Sequence, residues 1–353
     1  MSWAIYGAYG YTGRLIAAEA VARGLTPILA GRDATRLARL SAGLGLEWRA
    51  FALDDAVEVA RAIESLDLVL HAAGPFSRTS APMVRACLET GTHYLDITGE
   101  IPVLESVYAR DEEARRAGIA LLPAVGFDVV PSDCLALHVA RRVGAPVGLE
   151  LAIAPSGRAS AGTTRTVLAS LAGRRTLGLV RRDGRLVERR IGETRRIRFS
   201  DGREREALVG IPWGDLASAY RTTGARDVTV LMASRPMARM ASIAPVLGRL
   251  LSVGALARLA EAAVDRFVAG PDERSRREGR SFLWARAESA DGKGAEAWME
   301  TAEGYRFTAL SAVRCVERTL AERPRGALTP AGAFGPDLAL GIAGTRRRDA
   351  IGG

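Results

Sequence analysis

An apolar segment that runs directly into a glycine-rich turn constrains the fold more than any other feature of this chain. Residues 3–8 are short and apolar, which is typical of a buried parallel strand. Over residues 12–23 the apolar and small residues recur at helical spacing, and Gly24 ends the predicted helix. The chain therefore begins with a strand, a tight turn and a helix, which is the first step of an α/β fold.

The turn between strand and helix has G-x-x-G-x-x-G spacing, a variant of the dinucleotide-binding pattern. Glycine allows positive φ there, and it lets the backbone approach a pyrophosphate at the helix N-terminus. Glycine spacing alone is a weak signal, but here it lies in a complete strand–helix–strand context. The predicted cofactor-binding residues of this turn are Gly7, Tyr9, Gly10, Tyr11, Thr12 and Gly13.

The end of the second predicted strand, residues 26–30, indicates which dinucleotide binds. An acidic residue for the ribose 2′-hydroxyl is expected there, but the chain continues with Gly31, Arg32 and Asp33. The Arg32 guanidinium can hold a 2′-phosphate, which favours NADP over NAD by about ten- to a hundredfold. The alternative is that Asp33 caps a helix beginning at Ala34, while Arg32 is a solvated surface charge.

Two further strands are predicted at residues 47–53 and 66–73. The first ends at Asp54, where the adenine would lie. The second ends in Gly74, Pro75 and Phe76, and we expect these residues to form a wall near the ribose or nicotinamide. The alternative is an ordinary turn at the end of a strand.

Strands continue to alternate with helices up to about residue 145. Helices are expected at 81–90 and 104–116, and strands at 93–97 and 119–125. This alternation predicts the α/β class with an N-terminal, Rossmann-type, doubly wound parallel sheet. The first domain is therefore placed at residues 1–145.

A second, mixed α/β domain for substrate binding or dimerisation is predicted at residues 146–303. A helix that ends at 171 is expected to follow residues 162–164, and hairpin turns are expected at 183–184, 201–202 and 291–292. A helix over 305–320, ended by Thr329-Pro330, is expected to return to the first domain within a third segment, 304–353.

Composition excludes several classes of protein. A length of 353 residues suits two domains, and no stretch approaches the roughly 18 apolar residues that span a bilayer. The first strand lies at the N-terminus, so no signal peptide is expected. Three distant cysteines argue for a reducing cytoplasm and against disulfides or zinc.

The net charge of +9 does not predict nucleic-acid binding. Lys293 is the only lysine, and this arginine bias is more typical of a GC-rich genome than of a binding surface. The densest basic stretch, 174–205, carries acidic residues throughout, as expected for a mixed-charge hairpin face.

Residues 236–268 combine an apolar stripe at helical spacing with interrupting arginines. One interpretation is a pair of core helices broken near Pro245 and Gly254. The other is an interfacial amphipathic element that touches a membrane or a lipid substrate, which would make the protein membrane-peripheral.

Proton-transfer candidates follow two strands that end at the same sheet edge. The four candidate catalytic residues are Tyr94, Asp96, Glu100 and Asp128. Burial would raise the pKa of such carboxyls and suit them to donate protons. The alternative is that Thr98 and Ser132 cap helices and the carboxylates favour the helix N-termini.

The three histidines do not form a metal site, because no pair has helical metal-ligand spacing. We interpret His71 as a core residue, His93 as near the site and His138 as structural. Cys134 lies near a helix N-terminus, but a small buried residue is the simpler explanation. No metal is expected.

Several blocks resemble the saccharopine-dehydrogenase-like oxidoreductases, and more narrowly their trans-acting enoyl-reductase branch. The blocks lie at 7–13, 30–32, 74–76, 93–100, 126–133, 212–215, 220–224, 304–305 and 329–331. The resemblance implies an NADP(H)-binding domain, a mixed substrate domain, reduction of a double bond and, by analogy, a homodimer. Some relatives associate with membranes or lipid droplets.

Three hypotheses about function follow. The first is an NADPH-dependent reductase acting on an apolar, lipid- or polyketide-derived small molecule. The second is a carbon–nitrogen oxidoreductase acting on an amino-acid-derived imine, which requires inward-pointing arginines such as Arg165 or Arg221. The scarcity of lysine counts against chemistry that needs an active-site lysine. The third is a non-enzymatic, membrane-peripheral protein that binds nucleotide and lipid.

Overall fold

The structure, a computed structural model, describes residues 1–156, 177–190, 192–234 and 272–351. These residues form two compact units, one made of 1–134 with 305–343 and the other of 135–304 with 344–353. The helix predicted to end at 171, the residue Arg165 and the segment 236–268 lie outside the described residues.

Strands and helices alternate through residues 1–156. The strands are β1 (Trp3–Tyr6), β2 (Ile28–Gly31), β3 (Trp48–Ala50), β4 (Leu68–His71), β5 (His93–Asp96), β6 (Ala120–Leu122) and β7 (Pro146–Ala154). The helices are α1 (Tyr11–Ala22), α2 (Ala34–Leu44), α3 (Ala56–Ile63), α4 (Phe76–Thr90), α5 (Ile101–Tyr108), α6 (Asp111–Ala117) and α7 (Val130–Val143).

The later described segments are richer in strands. The strands are β8 (Leu177–Arg182), β9 (Arg185–Arg190), β10 (Thr194–Arg198), β11 (Glu204–Val209), β12 (Asp227–Met232), β13 (Arg280–Ser289), β14 (Gly294–Ala302), β15 (Gly326–Ala327) and β16 (Arg346–Arg348). The helices are α8 (Asp215–Thr223), α9 (Glu273–Glu278), α10 (Gly304–Glu322) and α11 (Pro330–Phe334).

The first unit is built on a parallel sheet with the strand order β15-β6-β5-β4-β1-β2-β3. Strands β1, β4 and β5 are buried along their whole length, and the sequences of β1 and β4 are accordingly almost continuously apolar. The chain reverses its direction of winding between β1 and β4. A ligand crevice is expected at the carboxyl ends of the strands at such a point.

The second unit contains a mixed sheet. Strand β7 pairs in parallel with β12 on one side and antiparallel with β13 on the other. The hydrophobic core of the second unit includes Phe199, Trp284 and Trp298. The predicted hairpin turns at 183–184, 201–202 and 291–292 are confirmed by the β8–β9, β10–β11 and β13–β14 pairs. Together the two sheets confirm the predicted fold class.

Two predicted helices differ from the structure in their boundaries. The helix expected at 104–116 is two helices, α5 and α6. They separate at Arg110, which leaves helical geometry at φ −94°, ψ 20°. Three acidic residues then begin α6, where they favour the positive end of the helix dipole. Helix α4 begins at Phe76 rather than near residue 81, and Pro82 inside it concealed its first turn from the pattern.

The prediction that Thr329-Pro330 ends a helix is wrong. Helix α10 ends at Glu322, and Thr329 is the N-cap of the next helix, with its hydroxyl accepting a hydrogen bond from the Gly332 amide at 3.0 Å. Pro330 occupies the first helical position, where its missing N–H costs nothing. Helix α8 lies in a region where only strands and hairpins were predicted, and it ends at Gly224 with φ +72°.

Candidate functional site

The glycine turn after β1 is tightly folded on itself. Gly7 has a φ of +86°, its amide donates to the Ala30 carbonyl at 2.8 Å, and its own carbonyl accepts from the Gly10 amide at 2.9 Å. A Cβ atom on Gly7 would lie 2.8 Å from Ala73, and one on Gly13 would lie 2.3 Å from the Gly7 carbonyl oxygen. Glycine is therefore required at both positions.

The amino end of α1 is suited to an anion. Gly10 is its N-cap, and among the described residues no side chain caps it and no acidic residue lies in its first turn. The amino end of a helix without an acidic first turn favours a bound anion, because the helix dipole is positive there. Tyr11 and Thr12 are half-buried in this first turn. The turn thus fits the diphosphate of a dinucleotide.

The carboxyl end of β2 presents arginine. Asp33 caps α2 by accepting a hydrogen bond from the Arg36 amide at 3.0 Å, so the capping role considered from the sequence is present. Arg32 is exposed beside it. Gly31 lies against the Tyr9 ring, because a Cβ there would come within 2.7 Å of Tyr9 Cε1. An exposed Arg32 is compatible both with phosphate binding and with a solvated charge.

Arg36 is a second guanidinium at this strand end, and sequence reasoning missed it. Its guanidinium carbon lies 4.5 Å from the centre of the Tyr9 ring, a cation–π contact that holds the side chain over the turn. The signal that was available is its spacing of four residues from Arg32, with the N-cap Asp33 between them. Two guanidinium groups thus lie close to the start of α2.

The remaining predicted cofactor residues lie at the ends of β3 and β4. Asp54 is exposed four residues beyond β3. Gly74 and Pro75 are exposed and joined by a cis peptide bond, whereas Phe76 is buried and begins α4. The Phe76 ring packs edge-on to His71 at 5.5 Å. Only the backbone and Pro75 can therefore offer a surface to a bound ribose or nicotinamide.

His71 is a core residue, as predicted. Burial lowers its pKa to about 4, so the ring is neutral at physiological pH. Its Nε2 lies 3.0 Å from Thr79 Oγ1, and the ring stacks on Tyr6 at 5.3 Å.

The interpretation that His93 lies near the site is wrong. His93 pairs with Leu68 at the amino ends of β5 and β4, at the opposite edge of the sheet from the glycine turn.

Tyr94 and Asp96 are fully buried, so the structure does not place either side chain where it can touch a ligand. The Tyr94 hydroxyl donates to Asp96 Oδ2 at 2.7 Å, and Asp96 Oδ1 accepts from the Thr98 and Ala124 amides at 2.9 and 2.8 Å. Burial raises the Asp96 pKa to about 6, against three donors that favour the ionised form. This pair joins the loops that follow β5 and β6.

Glu100 is half-buried, and its carboxylate is hydrogen-bonded to the amino end of a helix. Its carboxylate oxygens accept hydrogen bonds from the Phe76 and Ser77 amides at 2.8 and 3.0 Å. These amides belong to the first turn of α4, so Glu100 caps that helix from a distant loop. The capping alternative considered for the carboxylates therefore describes Glu100.

Asp128 differs from the other three candidates. It is only half-buried in the loop after β6, and its Oδ2 would lie 2.7 Å from a Cβ on Gly99, so the carboxyl packs against the loop after β5. Burial raises its pKa to about 6. A carboxyl with this pKa and some exposure can donate a proton near neutral pH.

The structure adds two observations on other sequence candidates. His138 lies in the second unit, where its Nε2 is 2.6 Å from Asp349 Oδ1. Cys87, Cys134 and Cys315 are buried, and none of the three takes part in a disulfide. Across the described ranges, no cluster of histidine, cysteine and carboxylate side chains could hold a metal ion, and no helix is both long and apolar enough to cross a membrane.

Comparison with known proteins matches the part of the chain that contains the glycine turn to a known family. Residues 3–122, from the start of β1 to the end of β6, match the family model of the saccharopine dehydrogenase NADP-binding domain. The resemblance drawn from the sequence is confirmed over these residues, and so is NADP as the cofactor of the domain.

The curated relatives each match part of the chain. A trans-acting enoyl reductase of Mycobacterium leprae is 35% identical over 152 residues, covering 39% of this chain and 35% of that protein. A probable mitochondrial saccharopine dehydrogenase-like oxidoreductase of Arabidopsis thaliana is 31% identical over 164 residues, covering 40% and 35%. The match thus spans about a third of the length of either relative.

One solved structure shares the fold along almost the whole chain. It is an apo saccharopine dehydrogenase (L-Glu forming) from Saccharomyces cerevisiae, with a TM-score of 0.65. The match covers 99% of this chain and 100% of that one at 13% identity. At this identity the likeness shows the fold alone and gives no information on the chemistry.

Proposed function

We propose that this chain, whose residues 3–122 form a saccharopine dehydrogenase NADP-binding domain, is an NADPH-dependent reductase of a double bond in an apolar substrate. The observation that carries the proposal is the glycine turn, where Gly7 and Gly13 leave no room for a side chain and no acidic residue lies in the first turn of α1. Bound NADPH supplies a hydride.

The chain's own residues would bind and orient this cofactor. The amides at the start of α1 would hold the diphosphate, and Gly10 would permit its close approach. Arg32, with Arg36 beside it, would bind the 2′-phosphate through charge-assisted hydrogen bonds. Asp54 would lie near the adenine, and Gly74 and Pro75 would border the ribose or nicotinamide.

The chain must also supply a proton, because reduction of a double bond adds one hydride and one proton. Asp128 is the proposed donor, since it is half-buried, has a pKa raised to about 6 and lies at the carboxyl edge of the sheet. Its proton would go to the carbon next to the one that receives the hydride. Tyr94 and Asp96 would act only by positioning, and Glu100 by capping α4.

The substrate class rests on the names of relatives. The M. leprae protein is called a trans-acting enoyl reductase, which supports an enoyl group as the acceptor. A lipid- or polyketide-derived molecule as the carrier of that group is what the family resemblance of the sequence blocks implies. Two facts weigh against the imine hypothesis. Lys293, the only lysine, is exposed in the β13–β14 turn, and Arg221 is exposed at the end of α8.

The test is to follow NADPH absorbance at 340 nm with the full chain and a series of enoyl thioesters of increasing acyl length. We expect oxidation that depends on enoyl substrate and becomes more efficient with longer acyl groups. Turnover of amino-acid-derived imines alone would replace the substrate class. Tight NADPH binding without turnover of any acceptor, together with flotation on liposomes, would favour a non-enzymatic lipid-binding protein.

A further inference from the structure

The loop between β6 and α7 is held by a helix that lies about 180 residues further along the chain. The Phe127 amide donates a hydrogen bond to Thr308 Oγ1 at 3.0 Å, and Ser311 Oγ donates to the Val125 carbonyl at 2.6 Å. Thr308 and Ser311 lie three residues apart in α10 and are both buried. Both ends of these contacts belong to the first unit.

The other side of this loop is tied to the sheet. The Ala124 amide donates to Asp96 Oδ1 at 2.8 Å, and the Val125 amide donates to the Asp96 carbonyl at 2.7 Å. Ala124 has a φ of +61°, a left-handed conformation that is costly for a residue with a side chain. A loop with such a conformation needs contacts on both sides to keep its shape.

The contact with α10 is too close to be incidental. A Cβ on Gly126 would lie 3.0 Å from Thr308 Cγ2, and Phe127 packs edge-on to Phe307 at 6.0 Å. Ser311 Oγ is also 3.3 Å from the Thr308 carbonyl, the bond that a helical serine commonly makes to its own helix. The hydrogen bond from Ser311 Oγ to the Val125 carbonyl, at 2.6 Å, is much shorter than this contact within the helix.

We propose that Thr308 and Ser311 are positioning residues that hold the 124–128 loop so that Asp128 is correctly placed for proton transfer. The proposal rests on the proposed role of Asp128. Thr308 accepts from one side of Gly126 and Ser311 donates to the other, so the two hydroxyls fix the backbone that leads into Asp128. Helix α10 thereby contributes to the proposed reductase site by positioning the loop that carries Asp128.

The test compares Thr308→Val and Ser311→Ala with Thr319→Val in the full chain. Thr319 is a matched control, because it is fully buried in the same helix and its hydroxyl makes no hydrogen bond within the described residues. Hydrogen exchange of the peptide covering 124–128 is the first readout and does not require activity. We expect about tenfold faster exchange in the first two variants and no change in Thr319→Val.

Kinetics with an enoyl thioester give the second readout. We expect kcat to fall roughly 10- to 100-fold in Thr308→Val, with a shifted pH profile and an NADPH dissociation constant changed less than twofold. Thr308→Ser, which keeps the hydroxyl, is expected to restore both exchange protection and kcat. Should Thr308→Val fail to fold, Ser311→Ala and Thr308→Ser carry the comparison.

Two outcomes separate this proposal from the reductase function. Unchanged loop exchange and an unchanged pH profile in Thr308→Val and Ser311→Ala would overturn the positioning role while leaving NADPH binding and turnover intact. Failure of the wild-type chain to bind NADPH would instead overturn the reductase function. If exchange rises but kcat and its pH profile stay unchanged, the hydroxyls hold the loop without positioning Asp128, and the proposal is wrong.

Discussion

At the scale of single residues, similar carboxyl groups at one sheet edge have acquired different roles. Asp96 is fully buried and accepts three hydrogen bonds, Glu100 caps α4, and Asp128 remains half-buried with a raised pKa. The sequence placed all of them near the crevice because each follows a parallel strand. It could not separate their roles, since both amides that engage Glu100, and one of the three donors to Asp96, come from distant segments of the chain.

Arg32 provides the first prediction at this scale. Replacing it with alanine should weaken NADPH binding by about ten- to a hundredfold and leave NADH binding nearly unchanged, because only NADPH carries the 2′-phosphate. Isothermal titration with both cofactors measures this. Arg39→Ala is the control, an exposed arginine in α2, seven residues after Arg32. Equal losses for NADPH and NADH would assign Arg32 to a solvated surface charge.

Asp128 provides the second prediction. Only its protonated form can donate, so wild-type kcat should fall as the pH rises through about 6. Asp128→Asn should lower kcat by about 10²- to 10⁴-fold and abolish this pH dependence, with NADPH affinity retained. Glu64→Gln, an exposed change at the end of α3, should behave as wild type. An unchanged kcat in Asp128→Asn would show that another group donates the proton.

At the scale of elements, what was predictable was local. The strand–turn–helix start of the chain is visible in seven residues, because the glycine spacing and the flanking periodicity are both short-range. The early start of α4 was not, since Pro82 conceals its first turn and the carboxylate that caps this turn, Glu100, lies 24 residues after Phe76. Strand β15 was missed because a two-residue strand gains its partner, β6, only in the folded sheet. The N-cap Thr329 was misassigned although its signal is local, since Pro330 follows it and the Gly332 amide donates to its hydroxyl.

The glycine turn carries the prediction for this scale. Gly13→Ala should reduce NADPH affinity by at least about a hundredfold, because the new Cβ would lie 2.3 Å from the Gly7 carbonyl oxygen and force the turn open. Gly43→Ala is the matched control. It lies in α2 with nothing within 4 Å of the new Cβ, and should raise the free energy of unfolding by about 0.5–1 kcal/mol. Unchanged NADPH binding in Gly13→Ala would contradict the proposed diphosphate site.

At the scale of the whole molecule, the chain returns to its beginning. The first unit is completed by residues 305–343, which supply α10, β15 and α11. Alternating strands and helices predicted the parallel sheet, and a family match over 3–122 covers its first six strands. The contribution of α10 to the loop that carries Asp128 could not be predicted, because the two segments lie far apart in the sequence.

The most direct test of the NADPH-dependent function is a calorimetric titration of the purified full chain with NADPH and, separately, with NADH. We expect one NADPH molecule to bind per chain, with a dissociation constant about ten- to a hundredfold lower than that for NADH. No heat of binding with either cofactor, in a protein shown to be folded by circular dichroism, would contradict the dinucleotide site and the reductase function with it.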